Sequence, residues 1–145
     1  MYFFGPVLDS SNCKVVAECD CCSDDILFFN DTEFVKISYC VPDMIAEKGT
    51  YVVNSKKLVL NFSGVRVGKS LDEASANRKG KTKYTFKTEK IKPSKIILTS
   101  FYCKKVLFYK TKGEDISYGS KAVSPSIGKR INELKTEGLW SRLFK

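Results

Sequence analysis

The sequence predicts an all-β protein in which an antiparallel meander closes, or nearly closes, into a barrel, with a helix near the C terminus. Apolar segments are short, rich in β-branched and aromatic residues, and separated by turn residues. Eight or nine such segments follow one another at close spacing, which is typical of barrels. The chain has 145 residues, so we expect a single barrel domain over residues 1–145.

The first half of the chain contains six predicted strands. Along the fourth of them, Val35, Ile37 and Tyr39 alternate with Lys36 and Ser38, which predicts one buried face and one wet face. The turn residues at 30–32 indicate a hairpin, and residues 42–48 are predicted to form a loop. The six strands are predicted at residues 2–8, 14–19, 26–29, 34–40, 49–53 and 57–62.

The second half begins with a polar stretch, for which the sequence predicts either a short helix over 71–79 or a loop. Strands follow at 84–88, 95–102 and 105–110, and residues 113–124 read as a loop. Ser124 as N-cap and Pro125 as first residue predict a helix over about 125–137. The terminal apolar residues are expected to dock on the barrel. These are Leu139, Trp140, Leu143 and Phe144.

Residues 26–62 resemble the meander of lipocalin-like domains in small exported bacterial proteins and lipoproteins. The resemblance lies in FFNDTEF at 28–34, KGTY at 48–51 and KLVL at 57–60. It implies a barrel in an extracytoplasmic setting, with no fixed activity, since such folds host ligand carriers, inhibitors and envelope factors. The sequence departs from the lipocalin pattern in lacking the Gly-x-Trp motif usual near the first strand. A filled core and a ligand cavity use the same residue types, and of the two we expect a mostly filled barrel.

Six cysteines predict a disulfide framework in an oxidising compartment. At least one of Cys19, Cys21 and Cys22 is predicted to pair with Cys40, because neighbouring antiparallel strands bring Cα atoms to disulfide distance. Cys103 is expected to tie a late strand to the N-terminal cluster. Free thiols and a metal–thiolate site are the alternatives, although the spacing from Cys19 to Cys22 differs from that of zinc sites. The full set is Cys13, Cys19, Cys21, Cys22, Cys40 and Cys103.

The location of the protein is predicted as periplasmic or secreted. Residues 1–6 lack the basic start and long apolar core of a signal peptide, so we expect a signal to have been removed before Met1. No apolar run approaches the roughly 20 residues of a transmembrane helix.

The residue inventory argues against catalysis. The absence of histidine excludes Ser-His-Asp and Cys-His catalysis and histidine metal sites. The segment GVRVGKS at 64–70 has three residues between its glycines, whereas a phosphate-binding loop needs four, so we interpret it as a strand bend. The acids around the N-terminal cysteines lack calcium-loop spacing. We therefore expect no enzymatic activity, cofactor or metal.

The charge distribution is lopsided within a net charge of +9. Residues 1–63 carry a net charge of −4 and residues 64–145 carry +13, which favours acidic partners. Aromatic residues interleave with lysines at 83–87 and 101–110, as in proteins that stack single-stranded nucleic acid. The cysteine content argues against that setting, so nucleic acid is not the expected partner.

The expected function is therefore that of a non-enzymatic exported binding module for a small apolar ligand or a protein partner. The alternative is an immunity or inhibitor type of protein–protein interaction module, in which the charge asymmetry would steer the partner. Six large apolar residues are predicted to line the barrel interior and contact a ligand there. They are Phe28, Tyr39, Tyr51, Leu60, Phe86 and Phe108.

Overall fold

The computed structural model describes residues 1–16, 22–40, 43–72, 83–113, 116–122 and 125–145, with Cys22 described by its backbone. The predicted fold, an antiparallel barrel followed by a C-terminal helix, is confirmed. Within the described ranges the elements are β1 (Tyr2–Gly5), β2 (Val7–Asp9), β3 (Lys14–Val16), β4 (Cys22–Phe28), β5 (Glu33–Cys40), β6 (Asp43–Asn54), β7 (Lys57–Leu71), β8 (Tyr84–Lys90), β9 (Ser94–Cys103), β10 (Val106–Thr111), β11 (Tyr118–Lys121), α1 (Ile127–Thr136) and α2 (Leu139–Leu143).

Eight antiparallel strands form the barrel in the order β6-β5-β4-β1-β11-β10-β9-β7, and β7 pairs back with β6 to close it. The first strand, β1, lies between β4 and β11 and so joins the early and late parts of the meander. Closure matters because it removes the unpaired strand edges that invite aggregation. The remaining strand of this sheet, β8, pairs with the far half of β7 outside the ring.

Strand β7 changes its partner at Gly64. Residues 57–62 pair with β9, whereas residues 65–71 pair with β8. Gly64 has a φ of +78°, and a Cβ at this position would lie 2.5 Å from the Ile91 carbonyl oxygen. The bend therefore requires glycine, and the interpretation of residues 64–70 as a strand bend is confirmed.

The two C-terminal helices cover the outer face of β4, β5, β6 and β7. They bury Leu134, Leu139 and Leu143 against the outward side chains of these strands, so the predicted docking of the terminal apolar residues is confirmed. We call this the outer cluster. Its buried members are Met1, Leu27, Val35, Ile37, Ala46, Val67, Leu134, Leu139 and Leu143.

The β2–β3 hairpin contacts β1 and β11 and is fastened to the barrel by a disulfide. Cys13 lies in the turn of this hairpin and is bonded to Cys103 at the end of β9, with Cα atoms 5.7 Å apart and a sequence separation of 90. The expected bridge from Cys103 to the N-terminal cysteines is thereby confirmed. It joins the hairpin to a strand that lies far along the chain.

The predicted pairing of Cys40 is wrong, because Cys40 is an exposed free thiol. The β4–β5 register does place the backbone of Cys22 directly opposite Cys40. Facing backbones are not sufficient for a disulfide, which also requires converging Cβ atoms. Cys19 and Cys21 lie outside the described residues.

Several predicted boundaries differ from the observed ones. Pro6 divides the first predicted strand into β1 and β2, since proline cannot donate a ladder hydrogen bond. The segments 43–48 and 118–121 are extended rather than loop, because neighbouring strands satisfy their backbone groups despite their polar residues.

The start of the C-terminal helix also differs from the prediction. Helix α1 is capped by Ser126, whose hydroxyl accepts a hydrogen bond from the Lys129 amide at 3.3 Å, and Ser124, the predicted cap, lies outside the described residues. The short helix predicted at 71–79 falls largely outside the described residues, and Leu71 ends β7.

Candidate functional site

Side-chain alternation separates the barrel interior from the outer cluster. Along β1, β4, β5 and β9 the even-numbered side chains point inward, as do those of β7 as far as Phe62. The odd-numbered side chains of β6 and β10 point inward as well. We call these residues the inner cluster. It contains Phe4, Ile26, Phe34, Leu58, Leu60, Phe62 and Leu98, with Tyr2, Phe28, Tyr51, Ile96 and Tyr109 packed against them.

One half of the interior, which we call the filled half, is occupied by aromatic rings. The Phe28 ring lies 4.6 Å from that of Tyr51 and 5.9 Å from that of Tyr2, both edge-to-face, and Tyr2 lies 5.2 Å from Tyr109. Phe34 completes this group at 6.4 Å from Phe28. Edge-to-face pairs of this kind add about 0.5–1.5 kcal/mol each beyond the area that they bury.

Two of the three tyrosines of the filled half, Tyr2 and Tyr109, have shifted pKa values. Burial raises the pKa of the Tyr2 phenol and that of the Tyr109 phenol above the ordinary value. Both groups are therefore neutral in the physiological range, and the filled half is a mostly aromatic plug that also holds tyrosine hydroxyls.

Two glycines allow aromatic rings to lie directly against the opposite strand. Gly119 faces Phe4 across the β1–β11 ladder, and a Cβ at this position would overlap the Phe4 ring. Gly49 faces Phe34 across the β5–β6 ladder, and a Cβ there would lie 2.8 Å from that ring. The missing side chains make room for the rings inside a narrow barrel.

The other half of the interior, which we call the open half, is a cavity of about 540 Å³. Pro6, Ser23, Cys40 and Ile116 line it, so it opens at the barrel end where β1 and β5 end and β4 and β11 begin. Its volume falls within the roughly 300–1,000 Å³ of small-molecule sites. Its apolar wall is formed by Phe4, Ile26, Leu60, Phe62, Ile96 and Leu98.

The wall of the open half also carries an ion pair. Lys36 Nζ lies 3.2 Å from Asp24 Oδ2, and the two side chains are 21% and 35% exposed. Lys36 faces Glu47 across the β5–β6 ladder, and Glu47 in turn accepts a hydrogen bond from Arg66 at 3.3 Å. Charges of alternating sign thus run across β4, β5, β6 and β7, and the first two of them, Asp24 and Lys36, line the cavity. Ser38, Thr111 and Ser117 add hydroxyl groups to the same lining.

The structure separates the six residues that the sequence placed in the interior. Phe28 and Tyr51 lie in the filled half, and Leu60 lines the open half. Tyr39 lines the cavity edge, but its ring packs against the outer cluster with the Arg130 guanidinium 4.9 Å above it.

Phe86 and Phe108 lie outside the barrel, so their predicted interior position is wrong. Phe86 packs against the outer cluster beneath Arg142, because it belongs to β8, which pairs outside the ring. Phe108 precedes Tyr109, which points inward, and it therefore points outward, where its ring stacks on Phe101 at 5.7 Å.

The polar residues of the cavity were missed by sequence reasoning. The sequence places Lys36 and Ser38 on a wet face and predicts no binding role for Asp24, but all three line the open half. The strict alternation of β5 was a usable signal. It gave the correct division into two faces but did not say that the polar face would be enclosed.

Comparison of the chain with protein-family models, curated proteins and solved structures finds no significant match. Among the described residues, no group of three or more Cys, Asp and Glu side chains is arranged to hold a metal ion. None of the described helices has the length and apolar character needed to span a membrane. The function is therefore argued from the cavity itself.

Proposed function

We propose that this protein is a non-enzymatic binding module of lipocalin-like type, which holds one small amphipathic ligand in the open half of its barrel. The observation that carries the proposal is the cavity of about 540 Å³. A protein that only needed a stable core would fill this volume, because empty apolar space costs free energy. The filled half shows that the same barrel can be packed with aromatic rings.

The chemistry of the lining supports a ligand with an apolar body and a polar head. The apolar wall would take the body, since burying apolar surface contributes about 25 cal/mol per Å². The ion pair of Lys36 and Asp24 would face the polar head, as would the hydroxyls of Ser38 and Thr111. Few polar groups in a mostly apolar pocket fix orientation and specificity.

An extracytoplasmic location belongs to the same proposal. The Cys13–Cys103 disulfide supports it, because such bonds persist in oxidising compartments and are rare in the cytosol.

A dye titration with a cavity-blocking variant tests the proposal. Anilinonaphthalene sulfonate, an amphipathic dye that fluoresces in apolar sites, is titrated into the protein and into Ile96→Trp. Ile96 lines the cavity, so an indole there is expected to occupy the space and weaken dye binding at least tenfold. The matched control is Ile97→Trp, which adds the same indole on the opposite face of β9, where Ile97 faces Val59.

Two results would contradict the proposal. One is dye binding that Ile96→Trp and Ile97→Trp weaken equally, which would place the dye elsewhere. The other is the absence of saturable binding of this dye and of long-chain fatty acids to the unmodified protein. Thermal unfolding of both variants establishes that they remain folded.

A further inference from the structure

Two neighbouring hairpins at the filled end of the barrel expose large apolar side chains. On the β6–β7 hairpin, Val52 and Val53 are 58% and 61% exposed. On the β9–β10 hairpin, Tyr102 and Val106 are 72% and 49% exposed. Contiguous exposed apolar residues with a polar surround mark interaction sites on soluble proteins.

The two hairpins are held side by side. The Ser100 amide donates a hydrogen bond to the Lys56 carbonyl at 2.7 Å, and the Ser100 hydroxyl donates to the same oxygen at 3.1 Å. The tips therefore form one continuous surface, which we call the hairpin-tip surface. It consists of Val52, Val53, Lys56, Lys57, Tyr102, Lys104, Lys105 and Val106.

The hairpin-tip surface is positively charged. Its four lysines are all exposed, and the acids nearest to it at this end of the barrel are Asp31 and Glu33 of the adjacent β4–β5 turn and Asp9 of the β2–β3 turn. The surface is also braced. The Cys13–Cys103 disulfide ends at its border, and the Lys104 ammonium donates a hydrogen bond to the Ser11 carbonyl.

The backbone of the β9–β10 turn is strained at its two lysines, which favours a functional role for them. Lys104 and Lys105 have φ values of 44° and 70°, in the left-handed region. Two-residue hairpin turns with both central φ values positive strongly prefer Asn-Gly, because side chains with a Cβ are disfavoured there. Strain of this kind collects at functional sites, and here it places two ammonium groups at the tip.

We propose that the hairpin-tip surface docks the protein on an anionic lipid bilayer. Lysines near such a bilayer are attracted to its phosphates, tyrosine is favoured at the headgroup level, and aliphatic side chains enter the acyl boundary. A stable protein interface needs about 800 Å² per partner. Two projecting turns suit shallow insertion into a bilayer better than they suit such a flat contact.

Vesicle binding by neutralised variants tests the proposal. The protein is sedimented with vesicles of equal parts phosphatidylglycerol and phosphatidylcholine, and with vesicles of phosphatidylcholine alone. We expect binding to the anionic vesicles that weakens as salt is raised. Lys56→Gln combined with Lys105→Gln is expected to lower the affinity by about fivefold per lysine. The control, Lys92→Gln with Lys95→Gln, removes two exposed lysines elsewhere and should leave the affinity unchanged.

The apolar contribution is tested separately. Tyr102→Ser with Val106→Ser keeps every charge and is expected to weaken binding severalfold and to make the remaining binding more sensitive to salt. Val7→Ser with Val16→Ser is the matched control, because these residues are 43% and 46% exposed and face each other on the β2–β3 hairpin.

A single-site variant separates lipid binding from folding. Lys105→Gly relieves the positive φ and is expected to raise the thermal unfolding midpoint while it weakens vesicle binding. The proposal is overturned if the unmodified protein does not bind anionic vesicles, or if both lysine pairs reduce binding equally. Retention on immobilised polyglutamate without vesicle binding would overturn it in favour of an acidic protein partner.

Discussion

The filled half and the open half of the barrel are built from the same strands, but different kinds of side chain occupy their inward-facing positions. The filled half is packed with aromatic rings in edge-to-face contact. The open half is walled by four aliphatic residues and two phenylalanines, which leave a cavity between them, and it admits the Lys36–Asp24 ion pair. An eight-stranded barrel is just wide enough for either solution. The difference indicates that one end of the barrel contributes stability through packed rings, while the other end provides space for a ligand.

The largest expected effect is on stability, and it should differ between the halves. Phe34→Ala, in the filled half, is expected to lower the free energy of unfolding by about 3–5 kcal/mol, because Phe34 is fully buried between other rings. Ile96→Ala, in the open half, should cost only about 1 kcal/mol, since Ile96 is partly buried and borders a cavity. Urea denaturation measures both. Equal losses would mean that the open half is packed as tightly as the filled half.

The disulfide lies at the filled end of the barrel, so its removal tests whether the two halves are independent. Cys13→Ser with Cys103→Ser is expected to lower the free energy of unfolding by about 2–5 kcal/mol, as expected for a bridge that closes a long loop. Dye affinity in the open half should stay within about twofold. Cys40→Ser is the control, and it should not affect the unfolding midpoint, since Cys40 is an exposed free thiol. A strong loss of dye binding in the disulfide variant would show that the two halves are not independent.

The ion pair predicts effects on binding rather than on stability. Asp24→Asn leaves Lys36 without its partner and is expected to strengthen binding of the anionic dye about fivefold, which corresponds to an interaction of about 1 kcal/mol. Lys36→Met should weaken it by a similar factor. Isothermal titration calorimetry measures both. Changes in the same direction would indicate that the two residues shape the cavity instead of setting its charge.

The smallest expected effect concerns Asp25, which neighbours Asp24 but faces the helices. Burial raises the pKa of the Asp25 carboxyl above its ordinary value, against the opposing attraction of Arg130. The folded state then holds this proton more tightly than the unfolded state does. The Asp25 contribution therefore makes stability fall as the pH rises from 3.8 through the folded pKa.

Asp25→Asn removes that contribution, so the variant should gain stability relative to the unmodified protein as the pH is raised from acidic to neutral. Urea denaturation at several pH values checks this, with Asp31→Asn, at an exposed turn residue, as the control. Identical pH profiles for the unmodified protein and Asp25→Asn would contradict the assignment.

The sequence predicts the barrel well because alternating apolar and polar residues, bounded by turn residues, mark its strands. In β5, Val35 and Ile37 are buried and Lys36 and Ser38 lie on the other face, as expected. What alternation could not show is which face points inward. The apolar face of β5 is covered by α1 and α2, whereas the polar face lines the cavity, and this depends on contacts distant in sequence.

The errors have the same origin. Strand β11 contains a glycine and polar residues, so the sequence predicts a loop there. It nevertheless fits between β1 and β10, because Gly119 accommodates the Phe4 ring. Phe86 was assigned to the interior by its residue type, but its strand leaves the ring after the bend at Gly64. The local residue pattern identifies the strands, whereas pairing between distant strands determines which residues pack against each face of a strand.

The location of the bound ligand is the most direct test of the central claim, that the open half is a binding site. Methyl NMR spectra recorded during titration with anilinonaphthalene sulfonate report each apolar region separately. We predict saturable shifts at the methyl groups of Ile26, Leu60, Ile96 and Leu98, with Leu134 and Leu139 of the outer cluster unchanged. Shifts confined to the outer cluster or to Val52, Val53 and Val106 would contradict the claim.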